Sequence, residues 1–276
     1  MKIDASRYTM FWQNPEKYRL REIWKLAPEE PKAGTFASLL TFGRRRGTCL
    51  HELLDADYRK VSEFEAVQSL KDGGFGDKEI SVATDMARCV LDRYASERRL
   101  AHEVLFEYPI PGSSHSLVGR IDGIHESDGE VFVNDYKTSK YRPAKELGYK
   151  LDEYCRGAQV SFYLLGARQL GYDVRRFRYV LVSSQRKGPG AQISERFTER
   201  TTLELNEFAR QVAMTLDLIQ WMKDTYGIER PWPQLPERFD GGYLPIMGRK
   251  MYADYCPEGF TAKKEHLVLM EGVDAN

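Results

Sequence analysis

A short polar motif follows an apolar stretch near the middle of the chain. Asp135-Tyr136-Lys137 forms the end of a predicted strand that begins at Val131, and the strand period of two places Asp135 and Lys137 on one face. The sequence has only one other acidic residue two positions before a lysine, in Glu30-Pro31-Lys32, where the proline excludes a regular ladder. A carboxylate and an ammonium at the end of an apolar strand are candidates for chemistry. The alternative is an ordinary surface ion pair.

The preceding predicted strand supplies a second carboxylate. Asp122 follows Gly119-Arg120-Ile121, and a hairpin register that sets the two strands side by side would bring Asp122 near Asp135. Two close carboxylates repel each other unless a cation lies between them. Divalent cations such as Mg²⁺ prefer oxygen ligands, with water and substrate phosphate completing the shell. The pair therefore predicts a divalent metal site.

Four elements follow one another in a specific order along the chain. They are Gly47-x-x-x-His51, Gly119-Arg120-Ile121-Asp122, Asp135-Tyr136-Lys137 and Gln159-x-x-x-Tyr163. Over roughly residues 8 to 185 this series resembles the RecB-like branch of the PD-(D/E)XK nuclease superfamily. The resemblance implies an α/β (α+β) fold with a restriction-endonuclease-like core. That core is a central mixed sheet with an antiparallel meander, flanked by helices and extended by an N-terminal helical elaboration.

The resemblance also implies a set of metal ligands. Asp122 and Asp135 match the two metal-binding carboxylates, and the backbone carbonyl of Tyr136 matches a further ligand. His51 matches a histidine that completes the shell, and imidazole shifts preference from Mg²⁺ towards Mn²⁺. Taken alone, a histidine is more often structural, and His51 could instead make a helix contact near Gly47.

The other motif residues match catalytic and substrate-binding positions. Lys137 matches the catalytic lysine, which would orient or help deprotonate the attacking water, while Gln159 would support the metal or lysine region. Tyr163 would stack on a base or hydrogen-bond a phosphate, although it could be an ordinary half-buried tyrosine. The predicted catalytic residues are Lys137, Asp122, Asp135 and Gln159. The predicted nucleic-acid contacts are Tyr163, Arg120, Lys140, Arg44, Arg45 and Arg46, where the charged residues could alternatively form solvated faces.

Two departures from related nucleases carry information. Some of these proteins hold an iron-sulfur cluster with one early cysteine and three late ones. Here Asn14 stands at the matching early position and only Cys256 falls in the tail, so no cluster is expected. A glutamate often precedes the second strand, and the sequence leaves Glu103 and Glu107 both open.

Composition narrows the function classes. The 276 residues include 41 Lys+Arg and 41 Asp+Glu, which argues against coating nucleic acid by bulk charge. No apolar run is long enough to cross a bilayer, and the N-terminus lacks the apolar segment of a secretory signal. We therefore expect a cytoplasmic protein, in a bacterium or a phage-infected host, without a membrane partner. The four cysteines are far apart, which disfavours a structural zinc site or disulfide framework.

The coarse pattern predicts where these motifs lie. We expect one nuclease domain over 1–230, helical over 1–100 and catalytic over 101–230, followed by a Pro- and aromatic-rich wrapping tail over 231–276. Asn14-Pro15 and the capping box Thr201-x-x-Glu204 each predict a helix start. Predicted helices span about 15–26, 36–58, 79–97, 155–170 and 201–226, and predicted strands span about 104–110, 116–124, 131–137, 177–184 and 193–197.

The resemblance implies a metal-dependent deoxyribonuclease that hydrolyses phosphodiesters with a metal-activated water. Family analogy favours an exonuclease that processes DNA ends in recombination, repair or phage DNA metabolism. The expected partner is single-stranded DNA or DNA ends, with a recombination or single-strand-binding protein as a further candidate. One alternative is a non-catalytic DNA-binding or scaffold member of the fold, and another is an RNA-directed nuclease. Polarity and oligomeric state stay open.

Overall fold

The structure is a computed structural model that describes residues 1–23, 26–28, 36–139, 144–184, 191–227, 232 and 267–269. It divides into two compact units. The terminal unit comprises residues 1–31, 110–115 and 209–276, and the sheet unit comprises residues 32–109 and 116–208. Most of the predicted tail, and Lys140 among the predicted site residues, lie outside the described residues.

Helices and strands alternate along the chain after a helical first third. In chain order they are β1 (Lys2–Ile3), α1 (Ala5–Gln13), α2 (Pro15–Tyr18), a π-helix (Arg19–Ile23), β2 (Leu26–Pro28), α3 (Phe36–Tyr58), α4 (Glu63–Asp72), α5 (Asp77–Arg93), β3 (Arg98–Pro109), β4 (Ser116–Ser127), β5 (Glu130–Ser139), α6 (Ala144–Arg156), α7 (Ala158–Gln169), β6 (Arg176–Ser184), β7 (Ala191–Glu199), α8 (Thr202–Tyr226) and β8 (Leu267–Leu269). None of these helices is both long enough and apolar enough to cross a membrane.

Side-chain caps set several helix starts. The Asn14 side chain accepts a hydrogen bond from the Lys17 N–H at the start of α2, as the sequence predicts. The predicted capping box of α8 is present, because Thr201 Oγ1 and the Glu204 carboxylate each accept from the other residue's backbone N–H. The prediction of one helix continuing to about residue 26 is wrong. Regular α-helix ends at Tyr18, and Leu26–Pro28 pairs antiparallel with Leu267–Leu269.

Other boundaries also differ from the sequence pattern. The single helix predicted over about 155–170 is two helices, because the extended backbone of Gly157 ends α6 and begins α7. The short helices α1 and α4 were not predicted. Each begins at a polar cap, Asp4 and Ser62 respectively, and each is too short to give a strong periodic pattern.

The sheet unit contains a mixed sheet, which confirms the predicted fold class. Within it β3, β4 and β5 form an antiparallel meander, β6 runs parallel to β5, and β7 runs antiparallel to β6. One core joins α3, α4 and α5 to Tyr136 of β5 and to Val180 and Val182 of β6. Phe177 and Tyr179, whose side chains lie on the other face of β6, contact α7 instead. Since side chains alternate along a strand, helices cover both faces.

A phenyl ring fixes how closely α7 approaches the sheet. Phe106 of β3 is buried and pairs with Gly119 of β4, where a Cβ would lie 2.7 Å from the ring. A Cβ on Gly166 of α7 would also lie inside van der Waals contact with the same ring. The two glycines therefore leave the space that Phe106 fills, and the position of α7 depends on that packing.

We expect Gly166→Ala to lower the free energy of unfolding by about 2 kcal/mol, because overpacking at the Phe106 ring outweighs the higher helix propensity of alanine. Gly148→Ala in α6 is the matched control. No described atom lies within 4 Å of a Cβ there, so alanine should stabilise the protein by up to about 1 kcal/mol. In a Phe106→Leu background the cost of Gly166→Ala should shrink. Urea denaturation measures all three effects, and a stabilising Gly166→Ala would contradict this packing.

A buried polar cluster supports the sheet away from the α7 face. Arg178 is 2% exposed, and its guanidinium donates to both Glu97 oxygens at 2.5 and 2.7 Å and to Asn134 Oδ1 at 2.6 Å. His125 Nδ1 lies 2.9 Å from Glu97 Oε2. Burial disfavours the carboxylate, but the hydrogen bonds from His125 and Arg178 outweigh burial and lower the pKa of Glu97 to about 2. The cluster therefore requires an ionised Glu97.

Because the folded-state pKa of Glu97 is depressed, its stabilisation is present above the ordinary glutamate pKa and is lost as the pH falls towards 2. Glu97→Gln should thus lower the free energy of unfolding by about 3 kcal/mol at pH 7 and by much less at pH 3. Glu63→Gln removes an exposed pair with Arg88 and should cost under about 0.5 kcal/mol. A Glu97→Gln deficit that is equal at both pH values would show that the carboxylate charge is not what stabilises the cluster.

Candidate active site

The aspartate and lysine of the polar motif form an ion pair in which the carboxylate is buried and the lysine is partly exposed. Asp135 is completely buried in β5, and Lys137 Nζ lies 3.0 Å from its Oδ1 and 2.7 Å from its Oδ2. Burial disfavours the Lys137 ammonium, but the charges of Asp135 and Asp122 outweigh burial and raise its pKa. The alternative of an ordinary surface ion pair does not apply, because the carboxylate has no contact with solvent.

Asp122 lies beside this pair, where the hairpin register was expected to place it. The β4–β5 ladder runs to Gly123 opposite Asn134, so Asp122 is one step beyond it, on the side of Asp135. Its Oδ2 accepts a hydrogen bond from the Tyr136 N–H at 3.0 Å. Burial raises the pKa of Asp135, Lys137 lowers it and the charge of Asp122 raises it. The two carboxylates therefore interact unfavourably, as their spacing in sequence implied.

His51 reaches the same place from α3. A Cβ on Gly47 would lie 3.3 Å from Thr138 Oγ1, so the glycine lets α3 pack closely on β5, one helical turn before His51. A Cβ on Gly43, one turn earlier, would meet no described atom within 4 Å outside the helix backbone. His51 Nε2 lies 3.2 Å from the Tyr136 carbonyl oxygen and 3.8 Å from Asp122 Oδ2.

Glu103, on β3, completes the group. Its Oε1 lies 3.1 Å from His51 Nδ1, and its Oε2 lies 2.7 Å from Arg120 Nε. Glu103 has φ = +47°, a left-handed conformation that non-glycine residues rarely adopt. Glu107 is exposed and is not part of this group. The structure thus places Glu103, of the two glutamates that sequence left open, at the site.

The donor set fits a divalent cation. Ligand atoms of His51, Glu103 and Asp122 all lie within 4.8 Å of one another, beside a cavity of about 260 Å³ that Glu52, Asp55 and Arg120 also line. Burial disfavours a charged imidazole, yet Asp122 and Glu103 raise the pKa of His51 to about 9. Both ring nitrogens face acceptors, so the surroundings select a positive charge at this position. Oxygen ligands with one imidazole suit Mg²⁺ or Mn²⁺.

The observed group differs from the predicted ligand set in one member. His51, Asp122 and the Tyr136 carbonyl lie together as predicted, but Glu103 joins them while both oxygens of Asp135 face Lys137. A ligand role for Asp135 stays a prediction. Sequence pattern gave no signal for Glu103 beyond its position near the second strand, because its placement depends on one backbone angle.

The glutamine and tyrosine of α7 both approach the site. Gln159 Nε2 donates to Asp135 Oδ1 at 2.8 Å. Tyr163 is half-buried between the rings of Phe106 and Phe177, and burial together with the charges of Asp122 and Asp135 raises the pKa of its hydroxyl. Tyr163 therefore has a packing role as well as the predicted nucleic-acid contact, which stays a prediction.

The predicted arginine contacts separate into two kinds. Arg120 is exposed beside Glu103, and Arg44 is exposed on α3. The Arg45 guanidinium donates to Glu79 and to the Gly74 carbonyl and stacks over a phenyl ring, while Arg46 is 4% exposed. Arg45 and Arg46 thus contribute to the interior and the helix contacts, and only Arg44 of the three is placed to meet a large ligand.

Sequence and structure comparisons show which known proteins this chain is similar to. The profile of the PD-(D/E)XK nuclease superfamily matches residues 3–256. A crystal structure of a candidate exonuclease from Eubacterium rectale is similar with a TM-score of 0.50 and 16% identity, over 91% of this chain and 93% of that chain. LHK-Exo in complex with dAMP matches with a TM-score of 0.35 and 12% identity, over 81% of this chain and 92% of that chain. A search of curated proteins found no match.

We expect His51→Ala and Glu103→Gln each to weaken binding of Mn²⁺ and Mg²⁺ at least tenfold, because each removes one of three converging ligands. Isothermal titration calorimetry without nucleic acid measures this directly. Glu107→Gln, four residues along β3 from Glu103, is the matched control and should leave the affinity unchanged. Unchanged metal affinity in His51→Ala together with a lower melting temperature would show that His51 has a structural role.

Proposed function

We propose that this chain, which belongs to the PD-(D/E)XK nuclease superfamily, is a divalent-metal-dependent deoxyribonuclease that acts on DNA ends as an exonuclease. The observation that carries the proposal is the convergence of Asp122, Asp135 and Lys137 with His51 around the two interior strands β4 and β5. A non-catalytic member of the fold would be free to lose one of the three motif residues. All three are present: Asp135 and Lys137 are in contact, and Asp122 binds the backbone N–H of Tyr136 between them.

In this proposal His51, Glu103, Asp122 and the Tyr136 carbonyl would hold the cation, with Asp135 as a further ligand; the convergence of the first three side chains supports it. A divalent cation bound there supplies Lewis-acid polarisation of the phosphoryl oxygen and makes water more acidic. The protein contributes rigid placement, because the ligands come from three strands and one long helix of the sheet unit.

The ammonium of Lys137 performs the proposed electrostatic part of hydrolysis. Its contact with Asp135 keeps it charged and fixes its direction, so it can donate a hydrogen bond to the attacking water or to a non-bridging phosphate oxygen. A fixed positive charge in a largely dry site stabilises the negative charge that develops as the phosphorus is attacked. Arg120, exposed at the rim, is placed to meet a neighbouring phosphate.

The proposed preference for DNA ends rests on analogy with a protein of similar fold. The structure from Eubacterium rectale, whose protein is named as a candidate exonuclease, has the same fold over nearly its whole length. Likeness at 16% identity concerns the fold alone, so a direct test must show whether the protein cleaves linear or circular DNA. The choice of DNA over RNA, the pathway of recombination, repair or phage DNA metabolism, and a protein partner are equally part of the proposal.

The test uses linear and covalently closed circular DNA, each single- and double-stranded, and a linear RNA of the same sequence. An exonuclease degrades the linear DNA and leaves the circles intact in Mg²⁺ or Mn²⁺, and a metal-dependent enzyme is inactive in EDTA. Cleavage of circles would establish an endonuclease instead, and preferential loss of the RNA would establish a ribonuclease.

We expect Asp135→Asn and Lys137→Met to lower the cleavage rate by about a thousandfold or more, because each removes charge that acts on the transition state. Lys71→Met changes an exposed lysine of α4 that pairs with Asp77 and should leave the rate unchanged. Circular dichroism confirms that the variants fold. Wild-type rates in either site variant would exclude this motif as the catalytic centre.

A further inference from the structure

A tyrosine that belongs to none of the sequence motifs lies next to Asp135 of the site. Tyr179 is 1% exposed on β6, and the parallel ladder pairs it with Asp135 of β5. Its hydroxyl donates to Gln159 Oε1 at 3.3 Å, and the Lys137 ammonium lies 5.9 Å from the centre of its ring. Tyr179 thus contacts the glutamine and the lysine that hold Asp135.

The Gln159 amide joins this tyrosine to the aspartate. Nε2 donates to Asp135 Oδ1 at 2.8 Å, while Oε1 accepts from the tyrosine hydroxyl. An amide can rotate by half a turn with little change in shape, but the rotated form would direct its oxygen at a carboxylate. With both ends bonded, the amide is held in the orientation that donates to Asp135.

The Tyr179 hydroxyl is suited to hold the Gln159 amide in place, because its own position is fixed. Its ring packs against Phe177 at 4.6 Å and Tyr154 at 5.4 Å between centroids, so its position is set by strand and core rather than by a mobile side chain. Burial, and then the charge of Asp135, raises the pKa of the hydroxyl. It therefore remains a donor and does not compete as a base.

We propose that Tyr179 is a positioning residue of the nuclease site, whose buried hydroxyl fixes the Gln159 amide and through it the direction of the Asp135 carboxylate. The inference rests on the proposed function. Asp135 is held on one side by Lys137 and on the other by Gln159, so loss of the Tyr179 hydrogen bond frees the amide to rotate and lets the carboxylate turn away from the Lys137 ammonium. Small displacements of a catalytic group have large effects on rate.

The test is a double-mutant cycle of Tyr179→Phe and Gln159→Ala, with initial rates measured on the linear DNA substrate at saturating concentration. Tyr179→Phe keeps the ring and should lower kcat about tenfold with little change in KM, since it removes one hydrogen bond in a preorganised site. In the Gln159→Ala background the same change should have an effect of less than about twofold, because the group it acts through is gone.

Tyr94→Phe is the matched control. The Tyr94 hydroxyl donates to Glu195 at 3.0 Å, and no contact joins it to Gln159 or Asp135 among the described residues. Its removal should lower the melting temperature by a similar amount and leave kcat unchanged. A second readout needs neither metal nor substrate. The side-chain amide resonances of Gln159 in nitrogen-15 NMR spectra should shift in Tyr179→Phe and not in Tyr94→Phe.

Each outcome decides the inference. Equal Tyr179→Phe effects in both backgrounds, or unshifted Gln159 resonances, would overturn it. Gln159→Glu keeps an acceptor for Tyr179 but cannot donate to Asp135, so full activity in this variant would overturn the inference even if Tyr179→Phe failed to fold. An inactive wild type, or an Asp135→Asn variant with wild-type rates, would overturn the proposed function as well. An active wild type with an unaffected Tyr179→Phe would overturn the positioning role alone.

Discussion

The Asp135 carboxylate is completely buried, and the arrangement of the site follows from the need to compensate its charge. A buried carboxylate without partners would take up a proton, because desolvation costs several kcal/mol. Burial is the largest influence and raises the pKa of Asp135 above its ordinary value, while the charge of Lys137 acts in the opposite direction. Lys137 and Gln159 are the hydrogen-bonding partners of the carboxylate, and each is held in turn by the sheet or by α7. The same contacts that make the charge tolerable also fix its direction, which is what a catalytic carboxylate requires.

β5 contributes side chains to the site on one face and to the core on the other. Its alternating side chains send Asp135 and Lys137 towards Gln159 and Tyr179, while Tyr136 between them packs into the core with α3 and α5. The backbone of Tyr136 also contributes, since its N–H binds Asp122 and its carbonyl lies near His51. A shift of β5 along its neighbours would therefore displace Asp135, Tyr136 and Lys137 together, away from Asp122 and His51.

The sequence predicted the part of the site that depends on local spacing. Asp122, Asp135, Lys137, His51 and Gln159 come together because their motifs lie on regular helices and strands, whose periods fix where side chains point. Glu103 could not be chosen over Glu107, because its place depends on a left-handed backbone that glutamate rarely adopts. Tyr179 and the pairing of Arg45 with Glu79 were also beyond the pattern, because they depend on contacts between distant segments. The break at Gly157 was missed since glycine is compatible with both a helix and its end.

Charge at the site couples the proposed binding of metal and of nucleic acid. Glu103, Asp122 and Asp135 are three acidic groups within a small volume, and Lys137, Arg120 and the imidazole of His51, whose pKa these acids raise to about 9, lie against them. A phosphodiester would add a further negative charge to this region. In the proposed nuclease, a divalent cation bound by the acids would make its approach more favourable, because interactions between close charges are weakly screened in a buried site. Metal binding and nucleic-acid binding would therefore be thermodynamically linked through these carboxylates, and each would increase the affinity for the other.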